Sequence, residues 1–148
     1  MNPCLTFDEA LLFANQHPAC WLATSDDNQP HVRGMLLWFA DPTGFYFHTG
    51  STKPLAEQLA KNPPIEVAFS DPGSNRGDGR MMRVAGAAEI LHDAALVERL
   101  RHERSWVFDN AAAVPGTSVV IFRVAHGTAI LWSMAVNCRE KDVVPLRF

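Results

Sequence analysis

A cluster of hydroxyl and cationic side chains follows the second of two extended segments within residues 31–59. Its members are Thr49, Ser51, Thr52 and Lys53, and Arg33 lies on the preceding extended segment. Pro54 opens a predicted helix directly after this cluster, and the first turn of a helix presents free N–H groups and the positive end of the helix dipole. Such groups together bind anions. The sequence therefore predicts that this segment holds a ligand that carries a phosphate.

Arg33 shares one face of its strand with the apolar residues Met35, Leu37 and Phe39. A charge among apolar side chains requires a partner, because burying it alone is costly. A salt bridge to a nearby carboxylate and the binding of an anionic ligand both meet that requirement, and the spacing leaves both open. The opposite face of the strand is also largely apolar, which predicts a strand inside a barrel or at a seam between a barrel and a partner.

The six histidines show no pair at the i, i+4 spacing, so the sequence predicts no metal site. His48 lies inside the phosphate-side segment, where it either fills the pocket wall or has a chemical role. His126 precedes a glycine and is interpreted as a turn residue, although an exposed histidine there could also ligate haem. No residue stands out as a general acid or base, and no catalytic residue is predicted.

Local signals divide the chain into short strands and three helices. Thr6 and Glu9 form a capping box that begins a helix ending near residue 16, a second helix spans residues 52–61, and Asp93 caps a third. Strands are expected over residues 20–25, 31–39, 45–49, 65–70, 80–91, 117–125 and 128–133, the last two as a hairpin around His126 and Gly127. This pattern predicts an antiparallel β-barrel with helices on its outside.

Composition limits the class of protein. The chain has 148 residues, of which 47% are hydrophobic and 20% charged, which predicts one globular domain over residues 1–148. A net charge of −3 argues against a nucleic-acid partner. The amino-terminal residues 1–4 show neither a charged leader nor an apolar core, and no apolar run reaches membrane-spanning length. The expectation is a cytoplasmic protein without a membrane segment.

Residues 33–59 resemble the flavin-binding signature of the pyridoxamine 5'-phosphate oxidase-like proteins, which are FMN-binding split β-barrels. The matching pieces are Arg33-x-x-Leu36-Leu37, Gly44-Phe45-x-Phe47-x-Thr49, Ser51-x-Lys53 and Gln58-Leu59. The order of strands and helices also agrees with that family, so the resemblance covers roughly residues 20–132. It implies a mainly β fold, a split antiparallel β-barrel of the FMN-binding type, and a homodimer with the cofactor at its interface.

The resemblance implies a role for each matching residue. The side chains that would hold the FMN phosphate are Arg33, Ser51, Thr52 and Lys53. Those that would line the flavin ring are Met35, Leu36, His48 and Thr49, with Trp132 contributed by the partner subunit. The implied activity is hydride or electron transfer between FMN and a small organic substrate.

Three departures from the oxidase pattern change the expected substrate. Trp38 stands where the oxidase has lysine, Thr52 stands where it has arginine, and residues 137–141 lack its substrate-binding Arg-x-His pattern. A relative that keeps the flavin site but does not oxidise vitamin B6 is therefore expected. Two alternatives stay open: a haem- or deazaflavin (F420)-binding relative of the same fold, and a non-catalytic flavin-binding stress protein. A phosphate site at Arg33 and Lys53 favours flavin over haem.

Overall fold

The computed structural model describes residues 4–148, which form four α-helices and ten strands. Residues 1–3, which belong to the segment where no leader was expected, lie outside this range. The helices are α1 (Phe7–Gln16), α2 (Pro54–Lys61), α3 (Ala94–Glu103) and α4 (Ser105–Ala112). The strands are β1 (Ala19–Asp26), β2 (Gln29–Leu36), β3 (Phe39–Asp41), β4 (Gly44–Gly50), β5 (Pro64–Asp71), β6 (Arg80–Ala87), β7 (Glu89–Leu91), β8 (Val119–Val124), β9 (Gly127–Ser133) and β10 (Leu146–Arg147).

The strands form two antiparallel sheets. The larger sheet has the order β10-β9-β6-β5-β1-β2, and the smaller has the order β3-β4-β8-β7. Their inner faces share one apolar core, whose largest fully buried side chains include Phe45, Phe47 and Phe122 from the smaller sheet and Phe69 from the larger. The expected mainly β, antiparallel split barrel is confirmed.

The chain passes from one sheet to the other at four places, and the sequence did not reveal three of them. The segments predicted as single strands over residues 31–39 and 80–91 each divide between the sheets, the first at Leu37 and Trp38 and the second at Ala88. The predicted hairpin around His126 and Gly127 is wrong. Strand β8 pairs with β4 and β7, whereas β9 pairs with β6 and β10.

The helices follow their capping signals where such signals exist. At the start of α1 the Thr6 hydroxyl accepts a hydrogen bond from the Glu9 amide at 3.3 Å, and the Glu9 carboxylate accepts one from the Thr6 amide at 2.8 Å. Asp93 caps α3 by accepting from the amide of Ala95 at 2.8 Å. The predicted count of three helices is wrong, because α4 follows Arg104, whose side chain makes no capping hydrogen bond. No helix within residues 4–148 has both the length and the apolarity to span a membrane.

Strand β2 is the edge strand of the larger sheet, and one of its faces is open in the single chain. Val32 is 66% exposed and Leu36 is 46% exposed, while Arg33 and Met35 on the other face are half-buried. Trp21, which lies opposite Gly34 on β1, is 60% exposed on the same outer face. The expectation that both faces are buried within one barrel is therefore wrong, and a seam with a partner remains a prediction.

Candidate functional site

A cavity of about 330 Å³ lies where β2, β4, the start of α2 and α4 meet. Its wall is mostly apolar, which is typical of a site for a small organic molecule. Six of the residues predicted from the sequence line it, namely Met35, Leu36, His48, Thr49, Thr52 and Lys53. The structure therefore brings together most of the predicted set on elements that are adjacent in space.

Ser51 and Trp132 do not line this cavity. The Ser51 hydroxyl accepts from the Ser118 amide at 2.8 Å, and the Ser51 amide donates to the Ser118 carbonyl at 2.8 Å, so this residue fastens the β4–α2 connection to the segment before β8. Trp132 lies on β9, and three strands separate β9 from β2 in the larger sheet. Within one subunit Trp132 therefore belongs to a different part of the molecule.

Arg33 also lies outside the cavity lining, in a network of neutral acceptors. Its guanidinium donates to the Thr24 hydroxyl at 2.8 Å, to the Gln58 side-chain carbonyl, and more weakly to the main-chain carbonyls of Leu22 and His31 at 3.4 Å. No carboxylate within residues 4–148 forms an ion pair with it, so the salt bridge considered for this side chain is not observed. Burial lowers the pKa of Arg33 below its ordinary value.

The start of α2 presents a cation and hydroxyls to the cavity. Lys53 directly precedes Pro54, its amide donates to the Gly50 carbonyl at 3.1 Å, and its ammonium has no carboxylate partner in the described chain. The Thr52 hydroxyl lies 3.0 Å from that of Thr117. A free ammonium beside the amino-terminal end of a helix is an arrangement that attracts an anion.

His48 is neutral and its ring is oriented by Arg104. The Arg104 Nη1 donates to His48 Nε2 at 2.9 Å, and Nη2 donates to the Leu37 carbonyl at 2.9 Å. Burial, followed by the positive charges of Arg104 and Lys53, lowers the pKa of His48 from 6.5 to about 4. The imidazole therefore carries no charge at neutral pH.

The wall that sequence reasoning missed comes from α4. Trp106, Val107, Asn110 and Ala111 line the cavity, and Trp106 is 52% exposed there. Val107, Ala111 and Val114 stand at the i, i+4, i+7 spacing of a helix face, which was the available signal. The N-cap residue of α4, Arg104, makes no side-chain capping hydrogen bond, and the short length of the helix made that signal weak.

We expect His48 to make the protein less stable in mild acid. Because the pKa of His48 is about 4 in the folded protein and about 6.5 when unfolded, the unfolded chain binds more protons between these values. The contribution of His48 to the free energy of unfolding is therefore intact above pH 6.5 and falls as the pH drops towards 4. Urea unfolding at pH 7 and at pH 5 measures the loss.

The control for this pH effect is the His48→Asn variant, which removes the titrating ring. Its free energy of unfolding should change less between pH 7 and pH 5 than that of the wild type. An equal change in both proteins would show that His48 titrates normally in the folded state.

The chain alternates between two antiparallel sheets that share one core, and a cavity lies between an edge strand and the start of a helix. This architecture is that of a split β-barrel protein. The sequence profile of the family described as pyridoxamine 5'-phosphate oxidase matches residues 7–130. The chain belongs to this family. Over 71 residues it is 38% identical to a Caenorhabditis elegans protein provisionally named a pyridoxamine 5'-phosphate oxidase, a match that covers 48% of this chain and only 30% of that relative.

Solved structures share the fold at low sequence identity. A NimC/NimA family protein from Clostridium acetobutylicum is 20% identical with a TM-score of 0.68, covering 86% of this chain and 85% of that chain. An FAD-binding protein from Mesorhizobium loti is 20% identical with a TM-score of 0.65, covering 86% and 94%. The haem storage protein HutZ from Vibrio cholerae is 13% identical with a TM-score of 0.63, covering 86% and 93%. At these identities the likeness defines the fold alone.

Proposed function

We propose that the protein is a homodimeric FMN-binding flavoprotein that transfers hydride or electrons between the flavin and a small organic molecule. The observation that carries this proposal is the cavity in which a cation, Lys53, and the hydroxyls of Thr49 and Thr52 meet the edge strand β2. Membership of the oxidase family and the FAD-binding neighbour support a flavin as the ligand.

The residues present fit a flavin phosphate at one end of the cavity. The Lys53 ammonium has no carboxylate partner and the Thr49 hydroxyl no hydrogen-bond partner among residues 4–148, so both remain available to a ligand. The Arg33 guanidinium lies outside the lining of the cavity in the single chain, but it has only neutral acceptors around it, which leaves its charge uncompensated. Each of these groups favours an anion, and phosphate oxygens accept the hydrogen bonds that they donate.

The flat part of such a ligand has an apolar wall and a free strand edge to contact. Strand β2 pairs with β1 on one side only, so backbone groups on its other edge have no strand partner. Gly34, Met35 and Leu36 border the cavity from this strand, and Trp106 and Val107 border it from α4. Such surroundings orient a planar ring by its edge and exclude water from its faces.

A second copy of the chain would complete the site. The outer face formed by Trp21, Val32 and Leu36 is apolar and exposed, which favours its burial against a partner. Trp132, at the far side of the same sheet, is proposed to reach the partner's cavity rather than its own. A cavity of about 330 Å³ is at the small end for a site that holds an organic cofactor, which also favours a second wall.

Flavin, when bound, supplies the redox chemistry, and the chain supplies binding, orientation and exclusion of water. No catalytic residue is assigned. Trp38, where the oxidase has lysine, is only 8% exposed, and its Nε1 donates to the Glu103 carboxylate at 2.7 Å, so it packs against α3 rather than lining the cavity. This packing supports a substrate other than pyridoxamine 5'-phosphate.

The test is the visible absorption spectrum of the purified protein, alone and after incubation with FMN, with its mass from size exclusion and light scattering. Flavin bands on a dimer, with reduction of the bound flavin by a reduced nicotinamide, are expected. If flavin binds but is neither reduced nor reoxidised, the oxidoreductase activity is contradicted and the protein is a non-catalytic flavin-binding protein. A Soret band after incubation with haemin, uptake of F420 alone, or no FMN uptake would overturn the proposal.

A further inference from the structure

Arg104 joins α4 to two other parts of the cavity wall. One guanidinium nitrogen donates to His48 on β4, and the other donates to the Leu37 carbonyl, which lies where the chain leaves β2 for the smaller sheet. Both distances are 2.9 Å, which is the usual length of a good hydrogen bond between nitrogen and these acceptors. The half-buried side chain thus has one fixed position, set from two sides.

This contact decides where the imidazole of His48 keeps its proton. A guanidinium has only donors, so His48 Nε2 must be the acceptor and cannot carry a hydrogen. In a neutral imidazole the hydrogen is then on Nδ1. Arg104 therefore selects one of the two tautomers, as a partner on one ring nitrogen does in other histidine sites.

The protonated nitrogen has no hydrogen-bond partner among residues 4–148 and is not fully buried. Every buried side-chain nitrogen or oxygen within residues 4–148 has a hydrogen-bond partner. Among residues 4–148, His48 forms a hydrogen bond through Nε2 and none through Nδ1. Since no fully buried nitrogen there lacks a partner, Nδ1 must be in contact with solvent. The ring borders the cavity and stands edge-on to Trp106 at 6.2 Å between centroids, so a molecule in the cavity would lie beside it.

We infer that Arg104 is a positioning residue that holds His48 as a hydrogen-bond donor toward the cavity, so that the bound molecule presents an acceptor there. The chemical class of that acceptor is a carbonyl oxygen or a ring nitrogen with a free lone pair. A protonated amine has no lone pair to offer and would also meet the positive charges of Arg104 and Lys53. The ligand part of this inference rests on the proposed function, whereas the tautomer is a property of the protein without ligand.

Nitrogen NMR of the ligand-free protein tests the tautomer directly. In ¹⁵N-labelled wild type at pH 7, we expect a pyrrole-type shift for Nδ1 and a pyridine-type shift for Nε2 of His48. In Arg104→Met the ring loses its fixed donor, and we expect a population with the proton on Nε2. A proton on Nε2 in the wild type, or an identical spectrum for His48 in Arg104→Met, would overturn the inference.

FMN affinity tests the donor, with flavin fluorescence as the readout. His48→Phe should weaken FMN binding about tenfold, because it removes one hydrogen bond and leaves the ligand acceptor without a partner. His48→Asn keeps an N–H donor near the position of Nδ1 and should retain most of the affinity. His102→Phe, which changes an exposed histidine on α3, is the matched control and should bind as the wild type does.

The outcomes separate this inference from the proposed function. If His48→Phe and His48→Asn bind FMN equally well, His48 is not a donor to the ligand and the inference fails while flavin binding stands. If the wild type takes up no FMN, the proposed function fails, and the nitrogen spectrum alone decides whether Arg104 sets the tautomer.

Discussion

Replacing Lys53 by alanine is expected to weaken FMN binding about 10- to 100-fold, because a hydrogen bond to a charged group contributes about 1.5–3 kcal/mol. Lys53 has no carboxylate partner in the described chain, so its charge is available to the ligand phosphate. Replacing Lys53 and Arg33 together should remove the second cation as well, and the protein should then be purified without flavin. Fluorescence titration with FMN measures the first effect, and the visible spectrum of the purified protein measures the second.

Lys61→Ala is the matched control for Lys53. Lys61 ends the same helix, but its ammonium pairs with Asp26 at 2.6 Å and Asp27 at 3.6 Å at the surface, away from the cavity. FMN affinity should therefore stay as in the wild type. Unchanged affinity in Lys53→Ala would contradict the phosphate site. Arg33 also donates a hydrogen bond to Gln58, so its loss could destabilise the fold. Thermal unfolding of the double variant must therefore show that it is folded before its flavin content is interpreted.

The parts of the fold that the sequence predicted well depend on short-range signals. The capping box at Thr6 and Glu9 acts within one turn, so it marks the start of α1 in the chain as it does in the structure. Pro54 limits α2 in the same way, because proline favours the first turn of a helix. These signals do not depend on what the element packs against. They can therefore be recognised in the sequence without knowledge of the rest of the molecule.

The passages between the two sheets could not be predicted, because a strand that changes sheets continues to look extended. Residues 31–39 keep a β pattern throughout, yet hydrogen bonding changes from β1 to β4 where Leu37 donates to Pro18 and Trp38 donates to Tyr46. The sequence predicts a turn at Gly127, because glycine favours tight turns. In the structure a glycine is needed there because the backbones of β9 and β6 approach each other closely. A single sequence does not distinguish such a close approach from a turn.

Part of the predicted set of site residues lies at one cavity, and part of the cavity wall was not predicted. The β4–α2 connection carries the polar residues that indicate an anion, and the structure brings Thr49, Thr52 and Lys53 to one cavity. The α4 wall and the Arg104–His48 contact were not predicted, because both depend on packing between distant parts of the chain. Arg104 and His48 are 56 positions apart. Arg33 shows the same limit, since its partners Thr24 and Gln58 come from β1 and α2.

Replacing Gly127 by alanine is expected to destabilise the protein by about 3 kcal/mol or more. A Cβ at this position would overlap the Ala85 carbonyl oxygen and lie 3.2 Å from the Gly86 Cα. Both are backbone atoms of β6, which cannot rotate away as a side chain does, so β9 would have to separate from β6. Thermal unfolding should show a fall in Tm of about 10 °C.

Gly34→Ala is the matched control, because it also adds one methyl group to a strand glycine. Its Cβ would meet the Trp21 ring at 3.7 Å, an ordinary van der Waals contact. We expect a change within about 1 kcal/mol, and a small gain would follow from the lower backbone entropy of alanine in the unfolded chain. If Gly127→Ala were as stable as Gly34→Ala, strand β9 could not lie against β6 in the observed register, because that register leaves no room for a side chain where Gly127 faces Gly86.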